Sequence, residues 1–323
     1  MRFVLKILFT AVLLSAIISS AQKLPSVTWT KLTPSQSPAA RVYCAMAYDE
    51  LSKKVVLFGG YDGTSYLNDT WSFDGTTWTE LHPVTSPPPR TAANMTYDRK
   101  SSVIVLFGGY DGVNYLGDTW LWDGKAGNWT ESHPANSPKP VTGPSLFSDP
   151  RNGRATVFGG YDGRLYQSTT YQWTGTDWRQ LHPSTVPYAR SAALVGRDDQ
   201  NKTVVLFGGL ADLNPNNTWT WDGSDWTMQN PQTMPPHLYG PGAAFDGHLK
   251  GVISFGGGLG GVDQTDTWAW TGSNWVKLLP TLSPAAREGE GAAYDIATAT
   301  LYIFGGGAGN GATYFNDTWK LVP

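Results

Sequence analysis

A single cysteine, Cys44, stands in 323 residues, so no disulfide can form within the chain. Stability must come from packing, and a lone Cys in an apolar stretch reads as a small buried hydrophobe. Charged residues are few, at 15%, and the formal net charge is -3. Lysine and arginine form no run, which argues against a nucleic-acid partner. Beyond the N-terminus no segment approaches the about 20 apolar residues of a membrane span, so no span is expected. Strong helix patterns are also missing. What the chain does have is 15 tryptophans, 37 glycines and 22 prolines, the composition of a rigid, turn-rich, aromatic-packed protein.

Residues 1–21 differ in kind. Arg2 and Lys6 precede an apolar run from Ile7 to Ile18, and Ser19-Ser20-Ala21 supplies small residues at the cleavage positions. They are read as a signal peptide removed before Gln22. A secreted or periplasmic mature protein of residues 22–323 is the expectation.

The stretch Val56–Gly63, VLFGGYDG, returns unchanged at Val105–Gly112. The phenylalanine of each Phe-Gly-Gly falls at Phe58, Phe107, Phe158, Phe207, Phe255 and Phe304, at intervals of 48 to 51 residues. Each copy is followed by Trp71, Trp120, Tyr171, Trp219, Trp268 or Trp319. In five copies a second tryptophan comes a few residues later, at Trp78, Trp129, Trp178, Trp226 and Trp275. One unit divides into four short strands, RVYCAMAY, KKVVLF, DTWSFD and TTWTEL, with Asp74-Gly75 at a tight hairpin between the last two. Six such units predict an all-β, six-bladed β-propeller with four strands per blade, forming a single domain. The sixth unit ends at Trp319-Lys320-Leu321-Val322-Pro323 without a fourth strand, whereas the chain begins at Val27 with VTWTKL. The N-terminal strand is therefore expected to complete the last blade beside Trp319 and to remove two open sheet edges.

First strands that open with Arg, a Gly-Gly doublet closing the second strand and a Trp on the fourth together resemble kelch repeats, in the variant of bacterial secreted proteins similar to the central domain of galactose oxidase. The resemblance covers residues 24–323 and implies the propeller fold. It implies little about activity, since kelch scaffolds host oxidases, sugar epimerases, specifier proteins and protein-binding modules. The copper site of galactose oxidase needs two Tyr and two His, and Cys44 has no such set beside it. The iron motif of plant specifier proteins, Glu-x-x-x-Asp-x-x-x-Asp, is absent. His82, His133 and His182 each precede a proline, one per blade, too far apart to share an ion. No cofactor and no metal are expected. The N-acetylneuraminate epimerases, with an arginine-rich mouth, fit the size and the leader, but the repeats here are more regular.

Candidate binding residues lie where kelch loops emerge around the channel. Arg41, Arg90, Arg190 and Arg287 begin first strands. Converging, they would recognise an anion; alternatively each packs across a blade boundary and hydrogen-bonds loop carbonyls. Tyr61, Tyr66, Tyr110, Tyr115, Tyr161 and Tyr166, with Asp62, Asp111 and Asp162, follow the Gly-Gly doublets. They suit stacking on sugars or clamping a peptide, or they are turns in which Asp caps local amides. The sixth unit departs most: Glu288 and Glu290 replace small residues, are expected on one strand face beside Arg287, and would be the acid–base pair if the chain were an enzyme. Tyr239 and His237 are weaker departures. The resulting expectation is a secreted, monomeric, non-catalytic propeller binding a glycan or an acidic protein segment. A sugar epimerase or mutarotase using Glu288, Glu290 and Arg287 is the alternative.

Overall fold

The computed structural model describes residues 26–211 and 216–322; the segment read as a signal peptide lies outside the described residues. Six antiparallel four-stranded sheets surround a central channel. Blade one runs from inner to outer strand through Ala45–Asp49, Lys54–Tyr61, Tyr66–Phe73 and Trp78–Leu81. The inner strands of the next four blades are Asn94–Asp98, Ser145–Ser148, Leu194–Asp198 and Gly242–Asp246. Blade six is built from both ends of the chain. Its strands Gly291–Asp295, Thr300–Phe304 and Thr318–Val322 are completed by Thr28–Leu32, which pairs Trp29 with Leu321 and Lys31 with Trp319. The closure expected from VTWTKL is present, and no helix occurs among the described residues.

The repeat residues explain how wedge meets wedge. The fourth-strand tryptophan of every blade is buried and donates its indole N–H to a third-strand threonine of the preceding blade. The pairs are Trp78 to Thr318, Trp129 to Thr70, Trp178 to Thr119, Trp226 to Thr170, Trp275 to Thr218 and Trp29 to Thr267, at 2.8–3.2 Å. The same six indoles meet the phenylalanine of the preceding Phe-Gly-Gly at centroid distances of 5.2–5.5 Å. A buried tryptophan removes about 150–250 Å² from water, roughly 4–6 kcal/mol at 25 cal/mol per Å². The indole N–H must then find an acceptor, and the threonine supplies it. Trp29 plays this part for the seam between blades five and six, so the N-terminal strand seals the ring with the same chemistry as every other joint.

The start of each first strand differs from the sequence reading. First strands begin at Ala45 and its counterparts, not at Arg41, because the third residue of each unit breaks the strand in the left-handed region: Tyr43, Ala92, Gly143, Ala192, Gly240 and Gly289 all have φ between 49° and 65°. The break has a purpose. Each of these six residues donates its backbone N–H to the carbonyl of the equivalent residue in the preceding blade, at 2.6–2.9 Å, so the six peptide groups form a closed hydrogen-bonded circle around the axis. Tyr43, Ala92 and Ala192 bear the cost of positive φ without being glycine, which the circle maintains.

Candidate ligand-binding face

The four arginines do not point into an open mouth. Each is 0–1% exposed and fully engaged within its own blade. Arg41 donates to the carbonyls of Ala39 and Gly59 and grips Asp69 with two hydrogen bonds of 2.6 and 2.7 Å. Arg90 does the same with Pro88, Gly108 and Asp118, and Arg287 with Ala285, Gly305 and Asp317, while Arg287 also stacks on Phe315 at 4.0 Å. Burial alone would raise the Asp118 and Asp317 carboxyls; the arginine hydrogen bonds outweigh it and hold both below the usual range. Arg190 reaches Tyr188, Gly208 and Asn217, and with an amide in place of a carboxylate its burial lowers the guanidinium to about 10. The expected anion-recognising ring is thus corrected. Buried to within 1% and turned toward loop carbonyls and an aspartate or asparagine, these guanidinium groups do not face the channel mouth.

The tyrosines do come together. Tyr61 and Tyr66 pack at 5.0 Å, Tyr66 and Tyr110 at 5.9 Å, Tyr110 and Tyr115 at 5.1 Å, Tyr115 and Tyr161 at 5.8 Å, and Tyr161 and Tyr166 at 4.9 Å. Tyr314, which the sequence reading missed, extends the series through Tyr61 at 6.2 Å. Seven half-buried rings therefore form one arc over blades six, one, two and three. The hydroxyls of Tyr61 and Tyr110 donate to the carbonyls of Gly63 and Gly112. The glycine of Tyr-Asp-Gly is what allows the contact between blades: a Cβ on Gly112 would lie 2.5 Å from the Tyr66 ring and one on Gly163 2.3 Å from Tyr115, at φ of 102° and 89°. Asp62, Asp111 and Asp162 each accept two backbone N–H bonds from the residues two and three positions on, which hold them below the usual carboxylate range. The turn reading of these loops holds: the aspartates make the turns, and the turns present the rings.

At the axis end of this face, Glu288 and Glu290 do not share a strand face. Gly289, at φ 65°, lies between them and sends them to different levels, while Arg287 is held by Asp317. Glu288 is half-buried near the hydroxyls of Tyr43 and Tyr239; burial raises it above the usual value, those hydroxyls offset part of the rise, and its Oε2 has no hydrogen-bond partner. Glu290 is 6% exposed, wedged against blade five where Gly242 and Gly256 leave room for it. Its Oε1 accepts the Gly242 N–H at 2.9 Å, its Oε2 has no partner, and burial pushes it up to about 8. His237 contacts the Gly209 carbonyl at 2.7 Å.

Below the peptide circle runs a cavity of about 420 Å³, lined by residues of all six inner strands and reaching the opposite face of the propeller. Cys44 lines it, and burial raises its thiol to about 11, the behaviour of an inert hydrophobe. His82, His133 and His182 are exposed at the ends of separate outer strands. Among the described residues no group of three metal-ligating side chains occurs.

Comparison with known proteins agrees with this geometry. No curated protein matches the chain. Among 418 matching chains of solved structures, one described as "Structure of YjhT" is 17% identical, with a TM-score of 0.68 over 88% of this chain and 95% of that one, a likeness of fold alone. The family model "KLHDC2/KLHL20/DRC7 Kelch-repeats domain" matches residues 21–184, half of the chain. With six in-phase repeats closing one ring, the chain belongs to the kelch-repeat family.

Proposed function

We propose that this is an exported carbohydrate-binding propeller that holds an uncharged glycan against its tyrosine face. The observation that carries the reading is the arc of seven tyrosines, whose rings succeed one another at 4.9–6.2 Å and so offer an extended aromatic track rather than one pocket. Aromatic rings with a polar edge suit the apolar faces and hydroxyls of sugars. Engagement of all four arginines argues against an acidic ligand on this face. Export rests on the leader-like residues 1–21. The test is a glycan array probed with wild type and with a Tyr66→Ala, Tyr115→Ala double variant. Binding to neutral oligosaccharides that the double variant loses supports the reading; retention of only acidic glycans or peptides counts against it.

A second reading has its own observation, a half-buried Glu288 carboxyl near the hydroxyls of Tyr43 and Tyr239, with one oxygen left without a partner. A carboxyl with a raised pKa beside phenols suits proton transfer at a sugar anomeric centre. Its partners would be Tyr43 and Tyr239, not Arg287. Following anomer interconversion by NMR with wild type and Glu288→Gln separates it from pure binding.

A further inference from the structure

The channel has a second end, opposite the tyrosine face, and the repeat is broken there in a particular way. One residue before the turn-capping aspartate, the six inner strands carry Tyr48, Tyr97, Ser148, Arg197, Phe245 and Tyr294, all at the same register against their second strands. Four of the six are aromatic. The two exceptions, Ser148 and Arg197, are neighbours on blades three and four, and all six line the cavity.

Arg197 is unlike the four arginines of the repeat. Its Nη2 pairs with Asp199 at 2.8 Å, but Nε and Nη1, both buried, have no acceptor, and the Ser148 hydroxyl is likewise buried without a partner. Arg99, further out at the same mouth, is already paired with Glu50. Buried guanidinium hydrogens left without acceptors are costly, and the cavity they line is the place from which an acceptor can come. We propose that this far mouth of the channel is a binding site for a small aromatic or otherwise planar carboxylate, with Arg197 and Ser148 donating to the carboxylate and the aromatic layer flanking its apolar body. A cavity of about 420 Å³ falls at the small end of the roughly 300–1,000 Å³ typical of ligand pockets. This site is independent of the tyrosine face and of any glycan bound there.

Benzoate is the probe, with benzamide as its neutral counterpart, titrated calorimetrically into the full mature chain. The expected result is benzoate binding at a roughly millimolar or tighter dissociation constant, with benzamide weaker by at least about tenfold because the charge-assisted bonds are lost. Arg197→Gln should abolish the preference while the Tyr66→Ala, Tyr115→Ala double variant retains it. Should Arg197→Gln fail to fold, Arg197→Lys, which keeps the charge but loses Nε, should weaken benzoate at least about threefold. The proposal is overturned if wild type does not take up benzoate at about 10 mM, binds benzamide equally well, or is matched in benzoate affinity by the folded arginine variant.

Discussion

Blades two and six share one framework and diverge at the axis. Both clamp a buried arginine on an aspartate, Arg90 on Asp118 and Arg287 on Asp317, and both set a fourth-strand tryptophan into the preceding blade, Trp129 and Trp29. Beside the channel, however, blade two has Thr91 and Ala93 where blade six has Glu288 and Glu290. Blade two is one continuous piece of chain, and blade six is assembled from two ends. The shared positions build the framework, and the divergent ones change what the blade presents to the channel.

The largest way to break this comparison is at the seam. Trp29→Ala should cost about 3–5 kcal/mol, the same as Trp129→Ala within about 1 kcal/mol, because the two indoles make equivalent bonds and contacts. Urea unfolding of the two variants checks it; a much cheaper Trp29 variant would mean that the N-terminal strand is dispensable.

Next comes the clamp. Arg90→Leu leaves Asp118 without its partner in a site only partly open to water, and about 2–3 kcal/mol of stability should be lost, less than for a fully buried pair because the carboxylate retains some hydration. Blade five offers a natural control. There Leu238 replaces the arginine and Asp266 turns to Lys277 at 2.7 Å, so Lys277→Met should matter less than Arg90→Leu, by thermal unfolding of each.

The carboxylates sharpen the contrast through pH. Glu290 sits at about 8 when folded, whereas unfolded glutamate titrates near 4.3. The folded state thus binds a proton that the unfolded state has released. Below about pH 4 the residue is neutral in both states and costs nothing by this route. As pH rises toward 8 stability should fall, by up to about 1.4 kcal/mol per unit, and then level off. Glu290→Gln should flatten that fall and exceed wild type by at least about 2 kcal/mol at alkaline pH, measured by urea unfolding from pH 5 to 9.

The smallest effect lies on the rim. Gly112→Ala forces a Cβ toward Tyr66 at a positive φ and should cost about 1–2 kcal/mol, yet it should disturb the aromatic arc, visible as altered tyrosine ring signals by NMR.

The ring was legible in the sequence because packing repeats: Phe-Gly-Gly and Trp recur at one spacing, and VTWTKL has the form of the strand missing at the other end. The arginines were harder. Their partner aspartates lie 28 to 30 residues away, across two strands, so the pairing is not local. A signal did exist: the third blade has Val141 where the arginine would stand and Thr169 where the aspartate would stand. The expectation that Glu288 and Glu290 share a strand face failed on backbone conformation, since Gly289 at positive φ offers no strand continuity. Tyr314 escaped notice because GAGNGATYFN abandons the Tyr-Asp-Gly phase, and Arg197 because its meaning lies in the layer it shares with five other blades, not in its neighbours along the chain.

The proposed division of labour is between arginines that hold blades and tyrosines that would hold ligand. Its most direct test is the glycan-array signal of wild type, Arg90→Leu and the Tyr66→Ala, Tyr115→Ala double variant, each at a temperature where it is folded. The predicted result is neutral-glycan binding by the first two and none by the third. Binding that survives without the two tyrosines and disappears with the arginine in a folded protein would contradict it.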